Sequence, residues 1–128
     1  MDTINMDTIN NMKCTFKKSK TFDERCKESA KIKEKYPDRI PVIVEKSDKC
    51  TLTHDIDKQK YLVPISLSCS QFLYIIRKRI RVGESEALFI FINSNLVPSS
   101  KTMGELYGSE KDTDGFLYVS YTNENTFG

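Results

Sequence analysis

Arg39-Ile-Pro-Val-Ile-Val-Glu-Lys46 and, after a polar connection, Lys60-Tyr-Leu-Val-Pro-Ile65 are the stretches on which the fold turns. The first reads as a β-strand, with Ile40, Val42 and Val44 on one face and Pro41 and Ile43 on the other. The second is also strand-like, but Pro64 has no N–H to give to a ladder, which predicts a place at a sheet edge. An edge strand is open to pairing with another chain.

Upstream, Thr21-Phe-Asp-Glu24 has the spacing of a capping box and opens a helix rich in helix formers that runs to Lys35. Tyr36-Pro37 ends it, because the residue before proline is pushed out of the α region. From Met12 to Lys20 only Cys14 and Phe16 are apolar anchors, compatible with a short helix. Met1 to Asn10 is the pentapeptide Met-Asp-Thr-Ile-Asn twice, without the apolar content to build a core, and is expected to be a mobile extension.

Downstream, Ser68-Cys-Ser-Gln71 is a second capping box, for a helix to about Arg81 with Phe72, Ile75, Ile76 and Ile80 on its buried side. Arg77, Lys78, Arg79 and Arg81 are expected to occupy most of its outer face. Leu88 to Ile92 reads as a strand so apolar that a central place is expected. Thr102-Met-Gly-Glu105 is a third capping box, for a short helix ending near Tyr107-Gly108, before a last strand at 116 to 121. Strand, strand, helix, strand, short helix, strand is the order of an α+β ubiquitin-like β-grasp roll. The expected sheet is four-stranded and mixed, with two additional N-terminal helices.

Composition narrows the class. At 128 residues the chain suits one domain, and 38% apolar with 30% charged residues fits a globular protein rather than a membrane or disordered one. The longest apolar run, Ala87 to Ile92, is too short to span a bilayer, and the polar first ten residues do not form a secretory signal. The expected compartment is therefore cytosolic or nuclear. Cys14, Cys26, Cys50 and Cys69 form no Cys-x-x-Cys pair and His54 is the single histidine, so neither zinc nor any other cofactor is expected. No glycine-rich phosphate loop or catalytic constellation is visible either, and no enzyme activity is expected. Residues 13 to 35 hold nine Lys/Arg against four Asp/Glu, a basic front that suits acidic lipid headgroups, tubulin-like acidic tails or nucleic acid and otherwise serves as a solvated helix face.

The chain finishes on Tyr121-Thr-Asn-Glu-Asn-Thr-Phe-Gly128, a polar tail running off the last strand. Without a Cβ, a terminal glycine can thread its carboxylate into a narrow enzyme channel, so the tail reads as a handle. The expected organisation is an extension at 1–11, a domain at 12–121 and a flexible tail at 122–128.

Tyr36 to Lys46, Lys60 to Pro64, Gln71-Phe72 with Ile76-Arg-Lys-Arg-Ile80, and Thr102 to Tyr107 together resemble the autophagy ubiquitin-like modifiers, the GABARAP and light-chain-three family. The resemblance covers about Met12 to Gly128. It implies that a cysteine protease trims or delipidates the chain. It also implies that activating and conjugating enzymes pass the Gly128 carboxylate to the amine of phosphatidylethanolamine. The chain would then be cytoplasmic, and on the autophagosome membrane when lipidated.

The resemblance further implies capture of receptors carrying aromatic-x-x-aliphatic motifs, which add as a strand to the open edge. Its aromatic pocket maps onto Glu28, Ile32, Pro41, Ile43, Lys60, Leu62 and Phe116. Its aliphatic pocket maps onto Tyr61, Val63, Pro64, Leu67, Phe72 and Ile75, with Arg39 beside it. For Ile43, Phe72 and Ile75, core and pocket duties are both open. The alternative is a non-conjugated adaptor for peptides, tubulin or trafficking receptors; nucleic acid is not an expected partner.

Overall fold

A computed structural model describes residues 15–52, 55–83 and 85–123; the repeat, Cys14, His54 and the end of the tail with Gly128 lie outside them. In chain order the elements are α1 (Thr15–Ser19), α2 (Phe22–Lys35), β1 (Arg39–Lys46), β2 (Lys60–Pro64), α3 (Cys69–Ile80), β3 (Phe89–Ile92), β4 (Asn95–Leu96), α4 (Met103–Glu110) and β5 (Leu117–Thr122). All three capping boxes form. The hydroxyls of Thr21, Ser68 and Thr102 each accept from the backbone N–H three residues on, and Glu24, Gln71 and Glu105 each accept from the cap's own N–H.

The sheet order is β2-β1-β5-β3-β4. β1 and β5 run parallel and the other pairs antiparallel, which is the mixed sheet of the ubiquitin-like roll. A fifth strand, the two-residue β4, was not expected. Asn93 and Ser94 both take positive φ, 52° and 68°, and fold the chain back after Ile92. Such turns are strongly signalled in sequence when glycine is present, and here it is not. α4 also continues past Gly108 to Glu110, where the Asn93 amide donates to the Glu110 carboxylate at 2.7 Å.

One face of the sheet carries the main core, where Ile40, Val42, Val44, Tyr61, Val63, Leu117, Val119 and Tyr121 meet Phe72, Ile76 and Ile80 of α3. Ile75, expected on the buried side of α3, is instead 38% exposed. At 100° per residue it lies roughly 105° from the centre of the stripe made by Cys69, Phe72, Ile76 and Ile80, on the helix flank. The opposite face buries a smaller cluster of Phe16, Ile43 and Phe116, with Ile32 and Tyr118 against it, so α1 and α2 cover that side. Phe16 and Phe116 meet edge to face at 5.0 Å.

A buried ion pair fastens the two helices down. Arg25 Nε donates to Asp114 at 2.8 Å, and its Nη1 donates to the carbonyls of Lys17 and Lys20. Asp114 also accepts from the Phe116 N–H and the Tyr118 hydroxyl, so its buried carboxylate is fully engaged. The Asp114 hydrogen bond is the main reason the Arg25 pKa rises above its ordinary value. Gly115, at φ 94°, turns the chain directly beneath Ser29 in α2, and a side chain there would collide with it.

Candidate functional site

Among the described residues β2 pairs only with β1, so the expected edge is present. The Val44 N–H donates to the Gln59 carbonyl and the Ile65 N–H to the Asp38 carbonyl. By antiparallel alternation the odd positions of β2 face β1, and Lys60, Leu62 and Pro64 turn their backbone outward. Pro64 thus lacks an N–H only where none is needed for the sheet. The outward donors are the amides of Lys60 and Leu62.

The two sides of this edge differ. Pro41 stands opposite Leu62 and Ile43 opposite Lys60, so these four share the face covered by α1 and α2. Glu28 and Ile32 reach the same place from α2. The Glu28 carboxylate holds Lys20 at 2.7 Å and also pairs with Lys60. Burial pushes the Glu28 pKa up, but the hydrogen bonds from Lys20 and Lys60 outweigh it and leave the carboxyl below its usual range. Both ammonium groups stand 5.7 Å from the Phe16 ring, which itself caps Ile43 and Phe116. Ile43 and Phe116 are fully buried and form the floor of this group rather than its accessible wall.

On the other face Tyr61 and Val63 point toward α3, where the Tyr61 ring meets Phe72 edge to face at 6.2 Å. Phe72 is 1% exposed and belongs to the core. Leu67 is half-buried and packs against the main core, while Ile65 and Ile75 are exposed. Arg39 and Pro64 are opposite each other across the strands. By alternation they continue the face of Pro41 and Leu62, at its far end. The 65–67 segment is held by α4: the Met103 N–H donates to the Leu67 carbonyl and the Gly104 N–H to the Ile65 carbonyl. Gly104 permits this approach, since a Cβ there would lie 2.8 Å from the Ile65 carbonyl oxygen.

An extended peptide laid along β2 has its side chains alternating between these faces. Residues three apart point to opposite sides, so an aromatic-x-x-aliphatic spacing fits one apolar group on each face.

The chain matches the family model described as "Autophagy protein Atg8 ubiquitin like" over residues 24–128. The chain belongs to the Atg8 family. Among its relatives, autophagy-related protein 8a of Arabidopsis thaliana is 51% identical over 116 residues, covering 91% of this chain and 94% of its own. Autophagy-related protein 8A of Oryza sativa subsp. indica is 51% identical over 114 residues, 89% of this chain and 95% of its own. The crystal structure of Trypanosoma brucei ATG8 superposes with a TM-score of 0.82 at 40% identity, over 91% of this chain and 99% of that one. Among the described residues no helix is long and apolar enough to cross a membrane.

Within this Atg8-family fold, the sequence alone does not assign Phe16, Lys20 or Gln59 to the surroundings of the β2 edge. Phe16 was legible only as a lone apolar anchor before α2. Lys20 was one of nine basic residues in its stretch, with nothing to single it out. Gln59 meets Thr15 from 44 positions away, a pairing no local pattern encodes.

Proposed function

We propose that this chain is an autophagy modifier joined through Gly128 to phosphatidylethanolamine, and that its β2 edge recruits cargo receptors and autophagy factors carrying aromatic-x-x-aliphatic motifs. The observation that carries the reading is an open edge strand with a separate apolar group on each side, in a chain of the Atg8 ubiquitin-like family. Family resemblance supplies the conjugation half: an activating enzyme adenylates the glycine carboxylate and holds it as a thioester. A conjugating enzyme then transfers it to the lipid amine with release of the enzyme thiol. The chain is the substrate in these steps. A cysteine protease trims the chain or releases it from lipid. The protein is cytoplasmic before conjugation and on the autophagosome membrane after it.

At the edge, the incoming main chain bonds to Lys60 and Leu62, the aromatic side chain enters between Ile32, Leu62 and Lys60, and the aliphatic one settles by Leu67 and Ile75. Two buried apolar side chains contribute roughly 1.5 to 3 kcal/mol each. Micromolar affinity corresponds to about 8 kcal/mol, so the main-chain hydrogen bonds and flanking charge contacts must supply the remainder and offset the ordering costs. Acidic residues flanking the motif meet Lys60 and Arg39.

Incubation with the activating and conjugating enzymes, ATP and liposomes containing phosphatidylethanolamine is expected to give a lipid adduct of altered gel mobility. Absence of the adduct, or equal adduct from a chain lacking Gly128, overturns the conjugation reading.

A further inference from the structure

Glu45, a carboxylate so far without a role, ties α1 to the head of the β2 edge. It lies two residues beyond Ile43 on β1, so the pleat turns its side chain to the face that α1 and α2 cover. There it accepts three hydrogen bonds: from the Phe16 N–H at 2.9 Å, the Thr15 hydroxyl at 3.0 Å and the Gln59 side-chain amide at 2.7 Å. Gln59 also donates to the Thr15 hydroxyl at 3.1 Å. The Phe16 N–H belongs to the first turn of α1, whose donors have no partner within the helix, so the carboxylate satisfies one of them. A helix of five residues is not stable by itself, and contacts of this kind decide where it sits.

Two of the residues that Glu45 holds lead directly to the aromatic group. Gln59 immediately precedes Lys60, and its carbonyl accepts from the Val44 N–H, so the start of β2 is fixed through main chain and side chain alike. Phe16 packs edge to face on Phe116 and beside Ile43, the floor of that group, and has the Lys60 ammonium 5.7 Å from its ring. Glu28 braces the same place from α2 through Lys20 and Lys60. One carboxylate therefore holds the α2 side of the group and a second holds the start of β2. A flat ring needs a slot of fixed width, whereas a branched aliphatic side chain adapts to a looser one. A side chain that has to be ordered on docking weakens binding by roughly 2 to 12-fold, a cost spared when it is already held.

Resting on the peptide-docking reading above, we infer that Glu45 is a positioning residue of the β2 edge: by fixing Phe16 and Gln59, and through them Lys60, it sets the preference of the first group for an aromatic side chain over an aliphatic one. Its own oxygens are turned to α1 and Gln59, so it acts through those residues and not by touching the motif. The aliphatic side chain of the motif docks on the opposite face, by Leu67 and Ile75, and does not depend on Glu45.

The test measures, on the full chain, Kd values for two fluorescently labelled peptides with Trp-x-x-Leu and Leu-x-x-Leu cores, each preceded by acidic residues. Glu45→Ala removes the link. Gln59→Glu sets a second carboxylate against the first, and the double variant Glu45→Gln with Gln59→Glu restores one amide and one carboxylate with their places exchanged. Glu45→Ala and Gln59→Glu are each expected to weaken the Trp peptide about 3 to 10-fold and the Leu peptide less than about 2-fold. The double variant should return the Trp peptide to within about 2-fold of the original chain. Should Glu45→Ala fail to fold, the Gln59→Glu and double variants carry the same comparison. Equal losses for the two peptides, or no loss for the Trp peptide, overturn the inference while leaving the docking edge in place. A double variant as weak as Gln59→Glu alone overturns it as well, because the pairing of positions 45 and 59 then does not matter. If the original chain binds neither peptide, the docking reading falls first and this inference with it.

Discussion

Breaking the Arg25–Asp114 pair should expose how the two N-terminal helices are held to the sheet. The side chains are 11% and 0% exposed, so solvent cannot replace either partner. Arg25→Met would leave the Asp114 carboxylate with only the Phe116 N–H and the Tyr118 hydroxyl, and would remove a donor from the carbonyls of Lys17 and Lys20. Removing one partner of a buried pair costs about 3 to 5 kcal/mol. That is a large share of the roughly 5 to 15 kcal/mol that stabilises a domain. Asp114→Asn keeps the shape and the acceptor for Phe116 but strands the guanidinium, at a smaller cost.

The double variant leaves no isolated buried charge, so the two costs should not add. Urea unfolding of the four proteins at pH 7 should give a coupling of about 1 to 3 kcal/mol. Hydrogen exchange should show the loss concentrated in residues 15 to 35. Additivity within about 0.5 kcal/mol would refute the claim that the pair acts as a unit.

Three further outcomes follow from the same contacts. Phe16→Ala removes the ring that packs on Phe116 and Ile43 and should destabilise by about 3 kcal/mol or more, with faster exchange in α1, measured by denaturation and hydrogen exchange. Glu28 titrates below its usual range in the folded state, so its contribution is complete above the unfolded value of about 4.3 and fades as pH falls through the folded one. Glu28→Gln should therefore lower stability at pH 7 by up to about 1 kcal/mol, discounted for the half-exposed lysines, with the gap closing toward pH 3; a gap independent of pH contradicts this. Gly104→Ala forces a Cβ against the Ile65 carbonyl and should cost about 1 to 3 kcal/mol in thermal or urea unfolding.

The parts of the fold legible in the sequence are those whose signals are local. Three capping boxes marked three helix starts, alternation in β1 sorted its two faces, and Pro64 placed β2 at the edge. Ile75 shows the limit of periodicity: a position three residues from Phe72 lies within the apolar pattern yet on the helix flank, and only the packing of α3 on the sheet decides its exposure. β4 escaped because two residues after an Asn-Ser turn carry almost no pattern. The clamp escaped for another reason. Arg25 and Asp114 are 89 positions apart, and neither differs in sequence from an ordinary surface charge. The candidate site was legible mainly through resemblance. The residues alone indicated an open edge, while the split into two apolar groups on opposite faces came from the register of β1 and β2.

The most direct test of the proposed function is mass spectrometry of the C-terminal peptide from protein recovered from cells during active autophagy. Gly128 carrying phosphatidylethanolamine through an amide bond, in a pool that also contains the free carboxylate, is the expected result. A Gly128 found only unmodified, in cells whose autophagosomes are forming, would contradict the account.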